Sequence, residues 1–120
     1  MIVAVPSIDG TAVEPHLANA RAFTIARVED GAVAEVAVVE WTEAEVEEAA
    51  LLTFLSRRGV EVVLAGSMGY AFQQALKSAG LTVYTGVSGE VAAALAAFLR
   101  DDIEPAAPGI RPLHGPPWAR

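Results

Sequence analysis

The most constraining feature of this chain is a short apolar run followed by a glycine turn and a helix-like segment, a pattern that occurs twice. The first unit covers residues 60–65, 66–69 and 70–79, and the second covers residues 81–84, 85–89 and about 90–100. Short continuous apolar runs are typical of strands that are covered on both faces and paired in parallel. The pattern therefore predicts an α/β fold with helices on the faces of a sheet.

The first third of the chain adds three strands to this sheet. Residues 1–6 are an apolar run that ends at Pro6, which predicts a buried first strand. We expect it to pair in parallel with the run at residues 60–65. Residues 23–28 and 33–39 alternate, and the turn at residues 29–31 between them predicts an antiparallel hairpin with Gly31 at positive φ. The whole sheet is therefore expected to be mixed.

The predicted helices carry recognisable start and stop signals. Thr42 followed by Glu45 matches a capping box, so the first helix is expected to begin at Thr42 and to end before Gly59. Gly80 is the expected left-handed C-cap of the second helix, and Ser88 is the expected N-cap of the third. The apolar stripe of the first helix is expected to comprise Val46, Ala50 and Phe54, with Leu51 and Leu55 beside them.

Length and composition indicate one domain and a tail. The chain has 120 residues, of which 53% are hydrophobic, which is enough to form a single core. From Pro105 onward, five prolines fall within 13 residues, so this tail, which contains His114, is expected to be extended or disordered. The short apolar start has no basic flank and no run approaches the roughly 20 apolar residues of a membrane span, which predicts a soluble cytoplasmic protein.

The composition also excludes several classes of function. The chain has no cysteine, which removes disulfides, thiolate zinc sites and conventional iron–sulfur ligation. Its net charge of −7 disfavours a nucleic-acid partner. Ser7, Ser67 and Ser88 lack the base, the orienting carboxylate and the nucleophile elbow of a serine hydrolase. No catalytic residue is predicted.

Three segments are expected to meet at the carboxyl edge of the parallel strands, where ligands bind in open α/β sheets. They are the long loop at residues 7–21 and the turns at residues 66–69 and 85–89. The two turns present backbone N–H groups at helix starts, which favour an anion. Their glycines could equally serve only to permit tight turns, and the sequence leaves both interpretations open.

His16 is the candidate metal ligand, because it is the one histidine in the expected folded part. Its ring can ligate a metal through either nitrogen. A lone loop histidine is also commonly a plain surface residue. Asp9 and Glu14 are the other potential ligands nearby, whereas a mononuclear zinc or iron site normally needs three or four. The sequence therefore does not supply a complete mononuclear metal site.

Four short motifs resemble landmarks of the dinitrogenase iron-molybdenum cofactor biosynthesis family. They are residues 1–7 (MIVAVPS), Pro15-His16, residues 66–69 (GSMG) and residues 83–86 (VYTG). The resemblance rests on their order and spacing and covers residues 1–102. It implies a ribonuclease-H-like motif, with a five-stranded mixed sheet flanked by three helices. Residues 103–120 are the expected proline-rich tail outside this domain.

The resemblance also implies a function. Members related to nitrogenase accessory proteins bind the iron-molybdenum cofactor or its iron–sulfur precursor and pass it on without catalysis. By this resemblance His16 would be the metal ligand, and cluster donor and acceptor proteins would be the partners. The predicted cofactor-binding residues are His16, which alone inherits its role from the resemblance, and residues of the long loop and the two turns: Ser7, Asp9, Gly66, Ser67, Gly69, Gly86, Ser88 and Gly89. Two alternatives stay open: a small-anion or nucleotide-binding regulatory module, and a plain protein-interaction domain.

Overall fold

Strands and helices follow one another along the chain in the computed structural model, which describes residues 1–42 and 46–100. The predicted domain boundary at residue 102 and the tail with His114 lie outside the described residues. The strands are β1 (Ile2–Ser7), β2 (Ala22–Glu29), β3 (Ala32–Glu40), β4 (Val62–Leu64) and β5 (Thr82–Tyr84), and the helices are α1 (Glu48–Arg57), α2 (Tyr70–Ser78) and α3 (Val91–Leu99). Within the described residues, no helix is long and apolar enough to cross a membrane.

The five strands form one mixed sheet in the order β3-β2-β1-β4-β5. β1 pairs in parallel with β4, and β4 with β5, whereas the β1–β2 and β2–β3 pairs are antiparallel. The predicted α/β class, the mixed sheet and the parallel pairing of the first strand are confirmed. Because β1, β4 and β5 point the same way, their carboxyl ends lie along one edge of the sheet.

Two residues in the left-handed conformation close the β2–β3 hairpin. Asp30 has a φ of 52° and Gly31 has a φ of 77°, which is the combination that a type I′ turn requires. The predicted positive φ at Gly31 is confirmed. Hydrogen bonds with the carboxylates of Glu35, across the hairpin, and Glu29, on the same strand, raise the pKa of Arg27. These ion pairs are exposed to water, so they contribute little to the stability of the hairpin.

From β2 to β5 both faces of the sheet are covered, one by α3 and the other by α1 and α2, whereas β3 is exposed along most of its length. In β1, Val3 and Val5 belong to the apolar cluster under α3, and Ala4 belongs to the cluster under α1 and α2. All three residues are fully buried. This burial on two faces explains why residues 1–6 form a continuous apolar run rather than an alternating one.

The start of α1 differs from the prediction. The helix begins at Glu48 with Glu47 as N-cap, so the predicted capping box at Thr42 is wrong; its second member, Glu45, lies outside the described residues. Glu47 has an extended backbone, with φ −97° and ψ 149°. The cause is Val46, which is buried and whose amide donates to the Ala18 carbonyl at 3.3 Å. Docking of Val46 against the long loop holds the chain extended where the sequence favours a helix.

The buried face of α1 also differs from the predicted stripe. Leu51 and Leu55 are its buried residues, whereas Ala50 is exposed and Phe54 is half-buried. The Phe54 ring packs at the edge of the core, with ring centroids 5.1 Å from Phe23 and 5.3 Å from Trp41. The late start of the helix explains the difference, because Val46 enters the core from extended chain and does not define the helical stripe.

Leu51→Ala should therefore lower the free energy of unfolding by about 3–5 kcal/mol, because it leaves a cavity under α1. The matched control is Ala50→Ser on the exposed side of the same helix, which should change stability by less than about 0.5 kcal/mol. Urea unfolding measures both. Equal effects of the two substitutions would contradict this assignment of the buried face.

Candidate functional site

Backbone hydrogen bonds join the three predicted segments at the carboxyl edge of the sheet. The Val13 amide of the long loop donates to the Gly89 carbonyl at 2.8 Å, and the Gly86 amide donates to the Gly66 carbonyl at 2.6 Å. The turn after β5 is thus bonded to both other segments. The predicted convergence of these three segments is confirmed.

His16 is fixed beside the turn after β4. The Ser67 amide donates to the Pro15 carbonyl at 2.7 Å, and the Leu17 amide donates to the Ser67 carbonyl at 2.9 Å. Residues 16 and 67 thereby form an isolated parallel bridge. His16 Nδ1 lies 2.7 Å from Ser67 Oγ, and the same hydroxyl donates to the Pro15 carbonyl oxygen at 3.1 Å. Both side chains are exposed, so the ring is open to a ligand.

Buried apolar residues anchor the long loop on both sides of His16. Leu17 is fully buried, and Val13 and Ala20 are each only 4% exposed. Leu17 begins a short 3₁₀ helix at Leu17–Asn19. Residues 7–21 were expected only to form a long loop, and these anchors were not predicted, although the apolar side chains in this segment were a signal for them. The histidine therefore projects from a loop whose backbone is held by the core.

Gly66 allows the loop to approach the turn closely. A Cβ atom at this position would lie 2.5 Å from the Pro15 carbonyl oxygen and 3.1 Å from that of Glu14. Both neighbours are backbone atoms, which cannot turn away as a flexible side chain can. The requirement for glycine here is thus steric, and it comes from the segment that carries His16.

Gly66→Ala should push the Pro15-His16 segment off the turn, destabilise the protein by about 1–3 kcal/mol and speed hydrogen exchange of the Leu17 and Ser67 amides. Gly69→Ala is the matched control, because a Cβ atom there would meet nothing within 4 Å. Hydrogen exchange and thermal unfolding measure these effects. If both variants behaved like the wild type, the close approach at Gly66 would be disproved.

Ser7, a predicted site residue, is fully buried. Its hydroxyl donates to the Ala22 carbonyl at 3.3 Å and accepts a hydrogen bond from Thr24 Oγ1 at 3.3 Å. These bonds join β1 to β2 next to the long loop. The Ser7 hydroxyl therefore does not face solvent in this structure. It stabilises the pairing of β1 with β2 beside the site.

Asp9, another predicted site residue, lies in an exposed turn at the start of the long loop. Its Oδ1 accepts hydrogen bonds from Thr11 Oγ1 at 2.5 Å and from the Thr11 amide at 2.9 Å. These bonds, that of the hydroxyl above all, hold the pKa of Asp9 below its ordinary value of 3.8. Both bonds stabilise the turn while Asp9 is ionised.

Thr11→Val should raise the pKa of Asp9 toward its ordinary value, because it removes the strongest donor and leaves the amide in place. A carboxyl-carbon NMR titration measures this change. Since the folded-state pKa of Asp9 is lowered, its contribution to stability is present above the unfolded value and is lost as the pH falls through the folded value. Thr53→Val, at an exposed position on α1, is the control, and an unchanged Asp9 titration in Thr11→Val would contradict the assigned cause.

The start of α3 is occupied by the long loop. Its N-cap is Glu90, so the predicted N-cap at Ser88 is wrong. Glu90 forms a β-bridge with Ala12, and its extended backbone, with φ −76° and ψ 141°, delays the start of the helix. The Val91 amide donates to the Thr11 carbonyl at 2.9 Å. The first amide of α3 is thus already bonded, and an acidic residue at the N-cap disfavours an anion there.

The start of α2 is more open. Its N-cap, Gly69, is exposed and follows Ser67 by two residues. In the turn after β5, Gly86 and Gly89 have φ angles of 76° and 85°, a conformation that glycine adopts readily. Turn geometry is therefore sufficient to explain those two glycines.

The charges and shape around His16 limit what it can hold. No three His, Asp or Glu side chains in residues 1–42 and 46–100 are grouped so that they could hold a metal ion. Glu14 Oε1 accepts a hydrogen bond from the His16 amide at 3.3 Å, so one carboxylate lies beside the His16 backbone. A ligand bound by His16 must therefore bring most of its own coordination.

Two concavities lie away from His16 and were not foreseen from the sequence. One, of about 340 Å³, lies between the end of β3 and α1 and is lined in part by Trp41, Phe54 and Arg58. The other, of about 650 Å³, lies between the ends of α1 and α2. Neither is lined by a predicted site residue. The aromatic residues near the end of β3 were the available sequence signal for the first.

The fold and the site define a class: a small α/β domain with a five-stranded mixed sheet and an exposed histidine on a loop at its carboxyl edge. The family model described as dinitrogenase iron-molybdenum cofactor matches residues 1–101. The chain belongs to that family, and the resemblance noted in its sequence is confirmed. The more specific ribonuclease-H-like label stays a prediction.

Solved structures of similar sequence share this fold. A crystal structure of the protein PH0822 is 28% identical, with 90% of this chain and 96% of that chain covered and a TM-score of 0.79. A Thermotoga protein, TM1290, provisionally named as a NifB protein, is 31% identical, with 92% and 97% covered and a TM-score of 0.73. The apo form of the orange protein from Desulfovibrio gigas is 24% identical, with 88% and 92% covered and a TM-score of 0.71, and supports the fold alone. No curated protein matches the chain.

Proposed function

We propose that this chain binds a metallocluster of the iron–sulfur or iron–molybdenum type through His16, as a cargo that it receives and passes on during cofactor assembly. Membership of the iron-molybdenum cofactor family supports the class of cargo. The observation that carries the proposal is the exposed His16 ring, fixed against Ser67 at the carboxyl edge of the sheet.

The donor set suits a preassembled cluster better than a single metal ion. Such a cluster brings its own sulfides, so one or two protein ligands complete its coordination. Imidazole is a suitable ligand for iron, and His16 can supply it without a cysteine or a group of carboxylates. The proposal is thus consistent with the described residues, 1–42 and 46–100, in which no three metal-ligating side chains are grouped.

The start of α2 adds an electrostatic contribution. Its N–H groups and helix dipole favour negative charge at its exposed N-cap, Gly69, which lies two residues after Ser67, the contact of the His16 ring. Glu14 acts in the opposite direction, because its carboxylate lies next to the His16 backbone. The two groups thus act in opposite directions, and the proposal assigns no catalytic step to the chain.

His16→Ala should reduce retention of an anaerobically supplied iron–molybdenum cofactor by about tenfold or more, since outer-shell changes alone commonly cost 10–100-fold in metal affinity. Iron content after gel filtration and charge-transfer absorption measure retention. His114→Ala, in the tail, and Asn19→Ala, an exposed position on the same loop, are the controls and should retain the cluster as the wild type does. The fold should persist in every variant.

The same experiment separates the alternatives. Full retention of the cluster by His16→Ala, together with its loss in His114→Ala, would show that the protein ligand lies in the tail. A thermal shift with inorganic phosphate that His16→Ala does not alter, together with no cluster retention, would favour the small-anion module. If the protein showed neither cluster retention nor a thermal shift with phosphate, a protein-interaction domain would be the remaining function.

A further inference from the structure

The hydroxyl of Ser67 lies between two groups that compete for its single proton. One is His16 Nδ1, at 2.7 Å from Ser67 Oγ, and the other is the carbonyl oxygen of Pro15, at 3.1 Å. A carbonyl oxygen can only accept a hydrogen bond, whereas Nδ1 donates in one neutral tautomer of the ring and accepts in the other. The position of the serine proton is therefore coupled to the tautomer of His16.

Only one arrangement forms both hydrogen bonds. If Ser67 Oγ donates to the Pro15 carbonyl, its lone pair accepts from Nδ1–H, and the two bonds polarise each other in a short chain. If Ser67 instead donates to Nδ1, its oxygen faces the Pro15 oxygen with no proton between them. The first arrangement is favoured, and it places the ring proton on Nδ1 and an unprotonated Nε2 on the solvent side.

The backbone makes this geometry persistent although both side chains are exposed. The hydrogen bonds from the Ser67 amide to Pro15 and from the Leu17 amide to Ser67 fix the two chain segments side by side. Leu17, directly after His16, is fully buried. The backbone therefore fixes residues 16 and 67 side by side, and their side chains can form the hydrogen bonds without rearrangement of the chain.

We infer that Ser67 is a positioning residue: its hydroxyl, which donates to the Pro15 carbonyl, holds His16 as the Nδ1–H tautomer and directs the Nε2 lone pair outward for a metal atom of the cluster. A hydrogen bond on the second ring nitrogen is the usual device that fixes the tautomer and orientation of a metal-binding histidine. The tautomer itself follows from the protein alone, and only its use in ligation rests on the proposed function.

The first test measures the tautomer in the absence of any cluster. The chain has two histidines, so His114→Ala leaves His16 as the single imidazole in ¹⁵N-labelled protein. Two-bond ¹H–¹⁵N correlations, recorded where the ring is neutral, should show His16 mainly as Nδ1–H. A histidine free in water favours Nε2–H, so Ser67→Ala should shift His16 toward that form, and Ser67→Thr should restore Nδ1–H.

The second test uses the isolated iron–molybdenum cofactor as the probe. Ser67→Ala should weaken its retention by about tenfold, within the range seen for outer-shell partners of metal-binding histidines, and Ser67→Thr should recover it. A purely structural role would not give this rescue together with the tautomer shift. Thermal unfolding of each variant checks that the fold is intact.

The positioning role of Ser67 and the proposed cluster binding can be disproved separately. An Nε2–H ring in the wild type, or an unchanged tautomer in Ser67→Ala, would overturn the role of Ser67 even if His16 proved to be the cluster ligand. Cluster retention that depends on His16 but not on Ser67 would also overturn the role of Ser67. An Nδ1–H ring that shifts in Ser67→Ala, in a protein that retains no cluster, would uphold the positioning role and overturn the proposed function.

Discussion

The site depends on the contact between the Pro15-His16 segment and the turn after β4. Two backbone hydrogen bonds and the absence of a Cβ atom at Gly66 let the two segments lie against each other. The contact connects residues about fifty positions apart in sequence and sets the distance between His16 and Ser67. Without it the histidine would be an ordinary side chain on a long loop.

The sheet supplies the frame for this contact. β1 lies between β2 and β4, and its residues are buried on both faces, so the point at which the long loop leaves the sheet is fixed. Val46 and Leu17 then hold the far part of the loop in the core under α1 and α2. A loop of fifteen residues is thereby restrained at its beginning, at its middle and at its end.

Much of the fold could be predicted from the sequence, because strand runs and glycine turns are local signals. The hairpin at Gly31, the left-handed conformation of Gly80, whose φ is 91°, and the parallel pairing of the first strand all follow from such signals. The predicted C-cap at Gly80 is displaced by one residue, because the C-cap of α2 is Ala79. The start of α1 could not, because the docking of Val46 onto a distant loop overrides a capping sequence at Thr42. The site was predictable as a convergence of segments. The burial of Ser7 and the bond between His16 and Ser67 depend on tertiary register, which the sequence does not reveal.

The location of His16 on open surface, away from both concavities, has a consequence for the kinetics of handover. A cluster attached there would have only one side covered by this chain, and its remaining metal atoms would face the solvent. A recipient protein could then attach its own ligand before His16 departs, so that transfer would proceed by bimolecular exchange. Under such a scheme the transfer rate would rise with recipient concentration, and no naked cluster would need to diffuse between the two proteins.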